Sequence, residues 1–379
     1  MINRPFWTEN IKRAWESRSI VWLSGVRRVG KTTISKMFPD TIYLNCDLPS
    51  VIRRLEDPEA FLKSVPKGSG LIFDEIHRLE DPSRLLKIAA DEFANIKVLA
   101  TGSFTLEATK KFKDSLTGRK VLIHLLPVLW DECKSQFKIN DLDLRLLRGG
   151  MPEILTTNKI DTSFYSEWID SFFARDIQEL FNVRNRSGFL KLMQLLLRSS
   201  GNLIDITQLS KMSGLTRPTV MSYLEAMRIA NMVYLLPPFH GGGRREITHR
   251  PKCYCFDSGF VAFVNGWNEI RDADRGLLWE HLVLDSLRIH LNHRQIYYWR
   301  DKSNREIDFV IKKSGNSFDL VECKINPDHL SISHLRTFRE IYPKGMNYCY
   351  APYIGERYSL NIDGIKVNFI GSAEDVVND

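Results

Sequence analysis

The chain has 379 residues, and 53 lysines and arginines against 46 aspartates and glutamates give it a formal net charge of +7. This length favours two or three domains, each able to bury a core of its own. Hydrophobic residues make up 43% and charged residues 26%, a globular composition that excludes a largely disordered or collagen-like chain. The positive balance favours anionic partners, nucleic acid first, although a basic soluble enzyme would show the same charge.

Neither a membrane segment nor a disulfide framework is expected. The longest apolar stretch, Val121 to Trp130, covers only ten residues, whereas a membrane helix needs about 20. Residues 1–12 contain no apolar core of a signal peptide. The six cysteines form no Cys-x-x-Cys pair, which favours buried thiols of a reduced, cytoplasmic protein over disulfides or a zinc site.

The first 130 residues alternate short apolar runs with helical patterns, which is typical of an α/β domain. Five strands are predicted, at 19–23, 41–44, 70–73, 97–100 and 120–125.

A phosphate-binding pattern follows the first predicted strand. Residues 25–32 read Gly-Val-Arg-Arg-Val-Gly-Lys-Thr, which fits G-x-x-x-x-G-K-[ST] and leads into a helical pattern at 33–38. In such a loop the backbone N–H groups surround phosphate, Lys31 reaches the β- and γ-phosphates, and the Thr32 hydroxyl binds Mg²⁺. The sequence therefore predicts a site for ATP and Mg²⁺. The residues assigned to it are Gly25, Val26, Arg27, Arg28, Val29, Gly30, Lys31, Thr32, Thr33, Asp74, Ser103 and Arg119.

The third predicted strand ends in two acids, Asp74 and Glu75. About 40 residues after a phosphate loop, the first acid is expected to hold the Mg²⁺ shell together with Thr32, and the second to orient and activate the attacking water. Asp74 to His77 also spells a helicase-like DExH box, but the other helicase motifs are not evident. Glu75 is therefore the predicted catalytic base of ATP hydrolysis.

Two further residues are assigned to the nucleotide site with alternatives open. The fourth strand runs into Thr101-Gly102-Ser103, polar residues that would lie beside the γ-phosphate and sense hydrolysis, although Ser103 would equally serve as a helix cap. Arg119 precedes the fifth strand. It is either an arginine finger that reaches a neighbouring subunit's nucleotide or a solvated surface arginine. The first alternative predicts a homo-oligomer.

The middle of the chain, from about 140 to 235, shows helical spacing, and residues 206–220 are typical of a helix-turn-helix. Arg217 and Thr219 would begin the recognition helix that contacts DNA. A glycine-rich loop after a short strand at 232–235 would form a wing, with Arg244 and Arg245 on phosphates. The alternative is a winged helix that binds protein and serves as a rigid lid.

The C-terminal part carries two acids and a lysine in a nuclease-like layout. Asp308 begins one predicted strand, and Glu322 and Lys324 end the next, two residues apart and so on one face. Asp308 and Glu322 would bind Mg²⁺ or Mn²⁺ against a phosphodiester, and Lys324 would position water and offset charge. Glu280, in a predicted helix at 277–289, is the additional glutamate that PD-(D/E)xK resolvases carry. The alternative is a nuclease fold that has lost activity and only binds DNA or partners.

Taken together, these motifs resemble those of prokaryotic AAA-type P-loop ATPases that carry a C-terminal restriction-endonuclease-like PD-(D/E)xK domain. The resemblance runs nearly end to end. Its matching segments are 25–33, 71–75, 100–103, 115–119, 147–153 (Leu-Arg-Gly-Gly-Met-Pro-Glu), 251–254 (Pro-Lys-Cys-Tyr) and 322–324. It implies an α/β fold class with an ATPase core, a helical lid, a winged helix and a nuclease-like α/β domain.

The predicted organisation is a P-loop ATPase domain at 1–135, a helical lid at 136–185, a winged helix at 186–250 and the nuclease-like domain at 251–379. The predicted function is an ATP-hydrolysing, DNA-processing protein with a metal-dependent endonuclease domain, acting on duplex or branched DNA. A nucleotide-switched DNA-binding regulator, or a branch-migration motor with an inactive nuclease fold, is the alternative. No membrane contact is expected.

Overall fold

The computed structural model of the chain describes residues 2–102, 116–157, 162–178, 181, 183–241, 250–291 and 295–377. Internal contacts divide the chain into two compact units. The first comprises residues 1–128, 151–186 and 223–232, and the second comprises 129–150, 187–222 and 233–379. The predicted division into four domains stays a prediction. Within the described ranges, no helix combines the length and apolar character needed to cross a lipid bilayer.

Helical patterns are predicted between the strands of the first 130 residues, from about 140 to 235 and at 277–289, and the structure has helices in all three regions. In chain order they are α1 Pro5–Ser17, α2 Lys31–Ser35, α3 Pro49–Arg54, α4 Pro58–Lys63, α5 Pro82–Glu92, α6 Trp130–Ser135, α7 Leu142–Arg148, α8 Pro152–Leu155, α9 Ser163–Phe172, α10 Arg186–Arg198, α11 Ile206–Ser213, α12 Arg217–Ile229, α13 Ser258–Asn265, α14 Asp272–His290, α15 Ser333–Ile341 and α16 Glu374–Val377. A π-helical turn, Phe173–Gln178, continues α9.

A five-stranded parallel sheet is the centre of the first unit. Its strands are β1 Ile20–Ser24, β2 Thr41–Asn45, β3 Gly70–Asp74, β4 Val98–Gly102 and β5 Lys120–His124, in the spatial order β2-β3-β4-β1-β5. All five predicted strands are confirmed within one or two residues. Every residue of β1 and β4 is buried, as expected of strands inside a parallel sheet with both faces covered. Trp22 and Phe73 anchor the core against Leu86 of α5.

The order of the strands decides which strand ends lie next to one another. Strand β4 lies between β1 and β3, so the phosphate loop after β1 and the acids after β3 are separated by one strand. Because all these strands are parallel, their carboxyl ends share one edge of the sheet. The residues that end β4 are therefore brought between the loop and the acids.

The second unit contains a three-stranded antiparallel sheet, β6 Asn202–Leu203, β7 Val233–Leu236 and β8 Lys252–Cys255, with β8 in the middle. Helices α11 and α12 follow one another across Gly214, whose φ of +74° forms the turn. Asp205 caps α11 by accepting hydrogen bonds from the N–H groups of Thr207 and Gln208. The predicted helix-turn-helix is thus present as two helices and a turn.

A six-stranded mixed sheet forms the rest of the second unit. Its strands are β9 Ile296–Arg300, β10 Glu306–Lys312, β11 Phe318–Cys323, β12 Asn347–Tyr350, β13 Tyr358–Ile362 and β14 Ile365–Ile370, in the order β13-β14-β12-β11-β10-β9. Strands β9, β10 and β11 are antiparallel, whereas β12 is parallel to β11 and is reached through α15. Trp299, Phe318 and Phe338 lie in its aromatic core.

The glycine pair of the segment 147–153 has a structural role in the second unit. Gly149 has a φ of +74°, and a Cβ there would lie 1.9 Å from Asp257 Oδ1. The N–H of Gly150 donates to Asp257 Oδ2 at 2.6 Å, and the N–H of Gly259 donates to Oδ1 at 2.9 Å. The carboxylate that caps α13 therefore also fixes this turn, and no larger residue fits at Gly149.

Candidate functional site

The predicted phosphate loop links β1 to α2 in a tight curve. A Cβ at Gly25 would lie 2.5 Å from Leu125 O, and Arg28 and Gly30 both have positive φ. The Lys31 ammonium turns into the curve and donates to the carbonyls of Gly25 and Val26 at 2.7 and 3.0 Å. Burial lowers the pKa of Lys31, whereas the negative charge of Glu75 opposes the fall.

Asp74 is the polar hub of this site. Its carboxylate is 4% exposed and accepts three hydroxyl hydrogen bonds, from Thr32 at 2.8 Å, from Tyr43 at 2.5 Å and from Thr101 at 2.5 Å. These donors belong to α2, β2 and the end of β4. The proximity of Thr32 and Asp74 gives the oxygen donors that Mg²⁺ prefers, so the residues fit the predicted metal position.

Glu75 follows Asp74 in a left-handed backbone conformation, with a φ of +55°. Its N–H donates to Thr101 Oγ1 at 3.0 Å, and its Oε2 lies 3.3 Å from His77 Nδ1. Burial raises the pKa of Glu75, while the charge of Lys31 works against the rise. A partly desolvated carboxylate that remains within reach of a cation is suited to accept a proton.

A pocket of about 510 Å³ opens beside this group. Four cationic side chains line it, namely Arg27, Arg28, Lys31 and Arg175, together with Gly30, Thr32, Thr33, Glu75, Pro152, Glu153 and Ser171. Its volume lies in the usual range for a small-molecule site. The excess of cations suits a polyanion such as a nucleoside triphosphate.

The helical segment after residue 162 holds the phosphate loop from the side. The Trp168 indole N–H donates to Arg27 O at 3.0 Å, and the Arg27 guanidinium forms an ion pair with Asp176 of the π-helical turn. Asp176 is only 2% exposed. A short π-helical stretch is a frequent feature of functional sites, and here it brings both Asp176 and Arg175 towards the loop and pocket.

Three residues of this site are not among those predicted from the sequence, and one predicted residue, Arg119, lies outside the pocket. Tyr43, Thr101 and Asp176 were not assigned, although the polar run after the fourth strand drew attention to Thr101. Ser103 lies outside the described residues. The Arg119 guanidinium forms two hydrogen bonds to Asp91, at 2.6 and 3.1 Å, and it does not line the pocket. Its role towards a neighbouring subunit stays a prediction.

In the second unit the predicted nuclease residues meet on β10 and β11. The pairing of Phe309 with Val321, continued by one residue, sets Asp308 opposite Glu322. On its other side β10 carries a register shift between Ile307 and Val310, and bulges of this kind often redirect a side chain next to a functional site. Asp308 Oδ2 accepts the N–H of Cys323 at 2.8 Å.

Glu322 and Lys324 form an ion pair at 2.9 Å. Burial raises the pKa of Glu322, the charge of Asp308 adds to the rise, and Lys324 opposes it. Glu322 Oε1 is buried without a hydrogen-bond partner among the described residues. An orphaned carboxylate oxygen facing a second carboxylate is the arrangement that a cation would complete.

Two residues that the sequence reasoning did not assign complete this region, Lys252 and Tyr254. They lie two apart on β8 and both reach Glu280 of α14, the lysine at 2.9 Å and the tyrosine by a short hydrogen bond. Lys252 also pairs with Glu306 at 2.5 Å. The Lys-x-Tyr spacing in the segment 251–254 puts both on one strand face, which is the signal that could have identified them. We call Glu280, Glu306, Asp308 and Glu322 the carboxylate cluster.

The carboxylate cluster fits a metal ion only in part. Asp308 and Glu322 face one another, but Glu280 is engaged by Lys252 and Tyr254. Across the ranges that the structure describes, no group of three or more His, Cys, Asp or Glu side chains is arranged to hold a metal ion. The fit therefore rests on two carboxylates and not on three.

The predicted DNA-contact residues are partly described. Arg217 is exposed at the start of α12. The Thr219 hydroxyl lies 2.8 Å from the Thr216 hydroxyl at the same helix end. Arg244 and Arg245 lie outside the described residues. The N-terminal end of α12 is thus accessible, as a recognition helix would require.

The phosphate-loop site lies in a segment that matches a known protein family. Residues 17–134 match the family described as AAA domain. Residues 139–271 match a domain of unknown function (DUF8612), and residues 275–369 match another (DUF4143). The phosphate loop, Asp74 and Glu75 all lie within the segment that matches the AAA domain, and this match supports an ATPase-like domain there.

Similarity over most of the chain extends to a bacterial and an archaeal protein. The uncharacterized protein Rv2008c of Mycobacterium tuberculosis is 26% identical, over 84% of this chain and 73% of its own. The uncharacterized protein MJ1544 of Methanocaldococcus jannaschii is 27% identical, over 79% of this chain and 73% of its own. Among solved structures, the Walker-type ATPase PABY2304 of Pyrococcus abyssi is similar at 16% identity and a TM-score of 0.45, covering 70% of this chain and 96% of its own.

Thr101 provides a test of the geometry around Asp74. Thr101→Val removes the hydroxyl that donates to Asp74 and accepts from the N–H of Glu75. We expect kcat for ATP hydrolysis to fall by about 10- to 100-fold, with KM changed less than about threefold, because the acids lose their alignment and not the phosphate contacts. Thr101→Ser keeps the hydroxyl and is the matched control. Equal kcat values for the valine and serine variants would contradict this role.

Proposed function

We propose that the protein is an ATP-hydrolysing, DNA-processing enzyme whose C-terminal part is a metal-dependent DNA endonuclease. One observation carries the first half: Lys31, Thr32, Asp74 and Glu75 converge beside one cationic pocket. The second half is supported by the pairing of Asp308, Glu322 and Lys324 on adjacent strands. Branched or junction DNA is the preferred substrate class, by analogy with nucleases of similar layout.

The residues divide the work of hydrolysis by their chemistry. Lys31 and the loop N–H groups bind the β- and γ-phosphates and offset the charge that develops there. Thr32 and Asp74 would hold Mg²⁺, which when bound neutralises the phosphate oxygens. Glu75 accepts a proton from the attacking water, and Thr101 keeps Glu75 aligned through its hydrogen bond to the Glu75 N–H. Arg27 is held by Asp176, which keeps the loop open to the triphosphate.

The C-terminal proposal is supported by topology as well as by residues. A helix, three antiparallel strands, a second helix and a parallel strand follow one another as α14-β9-β10-β11-α15-β12. This sequence of elements presents Asp308 on the second strand, Glu322 on the third, and Lys324 directly after the third. A divalent ion bound by the two carboxylates would polarise a phosphodiester. Lys324 would then stabilise the negative charge that forms on the phosphate oxygens.

DNA is the proposed partner of both activities. The net charge of +7 supports an anionic ligand, and the helix-turn-helix offers Arg217 and Thr219 as contacts at the start of α12. Arg244 and Arg245 are proposed as additional phosphate contacts. A homo-oligomer, with Arg119 directed to the neighbouring nucleotide, belongs to the same proposal.

A second candidate is a nucleotide-switched DNA-binding regulator, or a branch-migration motor, whose nuclease fold is inactive. The observation that favours it is the engagement of Glu280 by Lys252 and Tyr254, which leaves two carboxylates for a metal ion. Metal-dependent cleavage of linear, forked and four-way DNA, with and without ATP, distinguishes the two candidates.

The ATPase proposal is tested by Lys31→Ala and Glu75→Gln. We expect Lys31→Ala to lower kcat/KM for ATP by at least about 100-fold, because the phosphates lose their cation. Glu75→Gln should bind ATP with nearly unchanged affinity and hydrolyse it at least about 100-fold more slowly, because it cannot accept a proton. Phosphate release and nucleotide-binding titrations measure the two effects.

The control for these variants is Lys67→Ala, which changes an exposed lysine of the same unit and should keep wild-type turnover. The pH profile adds a second criterion. Because burial raises the pKa of Glu75 and the base must be ionised, turnover should fall on the acid side at a pH above the usual range for glutamate. Wild-type turnover by Glu75→Gln would show that another group is the base.

Asp308→Ala tests the endonuclease. The substitution removes one of the two facing carboxylates, so cleavage with Mg²⁺ or Mn²⁺ should be lost while ATP hydrolysis persists. DNA affinity should hold or rise, because a carboxylate near phosphate has been deleted. Asp328→Ala, at an exposed aspartate of the same unit, is the matched control and should cut like the wild type.

The outcome against the nuclease is equally defined. If the wild type cuts no DNA form with either metal, with or without ATP, and Asp308→Ala binds DNA like the wild type, the regulator or motor candidate replaces it.

A further inference from the structure

A lysine lies inside the carboxylate cluster. Lys252 is 4% exposed, and its ammonium is 2.9 Å from Glu280 Oε1 and 2.5 Å from Glu306 Oε1. A buried ammonium is costly without carboxylate partners, and this one has two. Burial alone would lower the pKa of Lys252, but Glu280, Glu306 and Asp308 raise it above the ordinary value. The ammonium is therefore a permanent positive charge of the cluster.

The position of this ammonium is fixed by the fold. Lys252 lies on the central strand β8, opposite Leu203 of β6 and Leu236 of β7. Its ammonium also lies 5.7 Å from the centre of the Tyr298 ring, over its face. Two residues further along the same strand face, Tyr254 donates to the same oxygen of Glu280. Glu280 is thus held by two donors on rigid backbone.

The charges of the cluster are unequally balanced. Among the residues that the structure describes, four carboxylates face three cations, which are Lys252, Lys324 and Arg300, the last 3.7 Å from Glu306. Glu280 and Glu306 share Lys252, and Arg300 adds to Glu306. On the other side, Lys324 contacts only one oxygen of Glu322, and the second oxygen of that carboxylate has no hydrogen-bond partner among the described residues. The cluster therefore has two halves. The charges of Glu280 and Glu306 are compensated by Lys252 and Arg300, whereas Asp308 and Glu322 have only Lys324 between them.

We propose that Lys252 is the built-in cation of the Glu280–Glu306 half and confines a divalent metal ion to Asp308 and Glu322. The inference rests on the proposed metal site of the nuclease and deepens it. A metal ion on Glu280 would compete for an oxygen that already accepts two hydrogen bonds, and it would meet a fixed ammonium at short range where screening is weak. Glu280 is accordingly a positioning residue for Lys252 and not a metal ligand.

The experiment compares Mn²⁺ binding and thermal stability of nucleotide-free wild type and Lys252→Met, which keeps the length of the side chain and removes its charge. The variant should melt at a lower temperature in EDTA, because buried Glu280 and partly buried Glu306 lose their counter-ion. Mn²⁺ should restore its melting temperature and bind it at least about tenfold more tightly than the wild type, since ligand binding to the folded state stabilises it. Lys252→Met with Glu280→Gln should lose the tenfold gain.

The matched control is Lys313→Met. Lys313 pairs with buried Asp319 in the same sheet, at 3.2 Å, but this pair contains only one carboxylate. Its loss should lower the melting temperature without any gain in Mn²⁺ affinity. Equal Mn²⁺ affinity and equal thermal response in Lys252→Met and the wild type would overturn the proposal, as would an equal gain in Lys313→Met.

Two further arms keep the result decisive. If Lys252→Met does not yield folded protein, Lys252→Gln, which retains a hydrogen-bond donor, carries the same expectations. Asp308→Ala separates this inference from the nuclease. If Asp308→Ala binds Mn²⁺ as tightly as the wild type does, the metal ion is not confined to Asp308 and Glu322. Both the proposed metal site and this proposal then fail. If Mn²⁺ binding falls in Asp308→Ala but Lys252→Met shows no gain, only the role of Lys252 fails.

Discussion

The first unit depends on a single buried carboxylate, Asp74, and on the three hydroxyl groups that converge on it. Isolated carboxylates are costly to bury, and a hydrogen-bonded network with every member satisfied offsets that cost. Thr32, Tyr43 and Thr101 belong to three different elements. The carboxylate therefore ties the end of β3 to the phosphate loop helix, to β2 and to β4. Because Glu75 follows Asp74 directly in the chain and its N–H donates to Thr101, these contacts also fix the position of Glu75.

A comparable constraint operates in the second unit, but with ammonium groups in place of hydroxyls. Lys252 pairs with Glu280 and Glu306, and Lys324 pairs with Glu322, so each side of the carboxylate cluster has a lysine partner. Breaking a buried ion pair leaves an uncompensated charge and is strongly destabilising, so these lysines stabilise the fold as well as shaping its chemistry. The residual imbalance falls on Glu322, whose free oxygen is the feature that a cation would satisfy.

Much of the fold could be predicted from local patterns, because apolar runs bounded by turns define strands well. The phosphate loop and the two acids after β3 were likewise predictable, since each lies in one continuous segment. Tyr43 could not be found in this way, and for Lys252 the Lys-x-Tyr spacing gives only the strand face shared with Tyr254, not the contact with Glu280. Each acts on a residue of another element, and the contact exists only because of strand order or sheet packing, which local periodicity does not encode. The same holds for Arg119, whose contact with Asp91 depends on packing next to α5.

We propose above all that Asp74 organises the nucleotide site and holds the metal ion together with Thr32. The most direct measurement is the Mg²⁺ dependence of ATP hydrolysis in the wild type and in Asp74→Asn, combined with ATP-binding titrations. We expect Asp74→Asn to bind ATP within about threefold of the wild type, while kcat falls at least about 100-fold or half-saturation needs at least about tenfold more Mg²⁺. Unchanged turnover with an unchanged Mg²⁺ requirement would contradict the account.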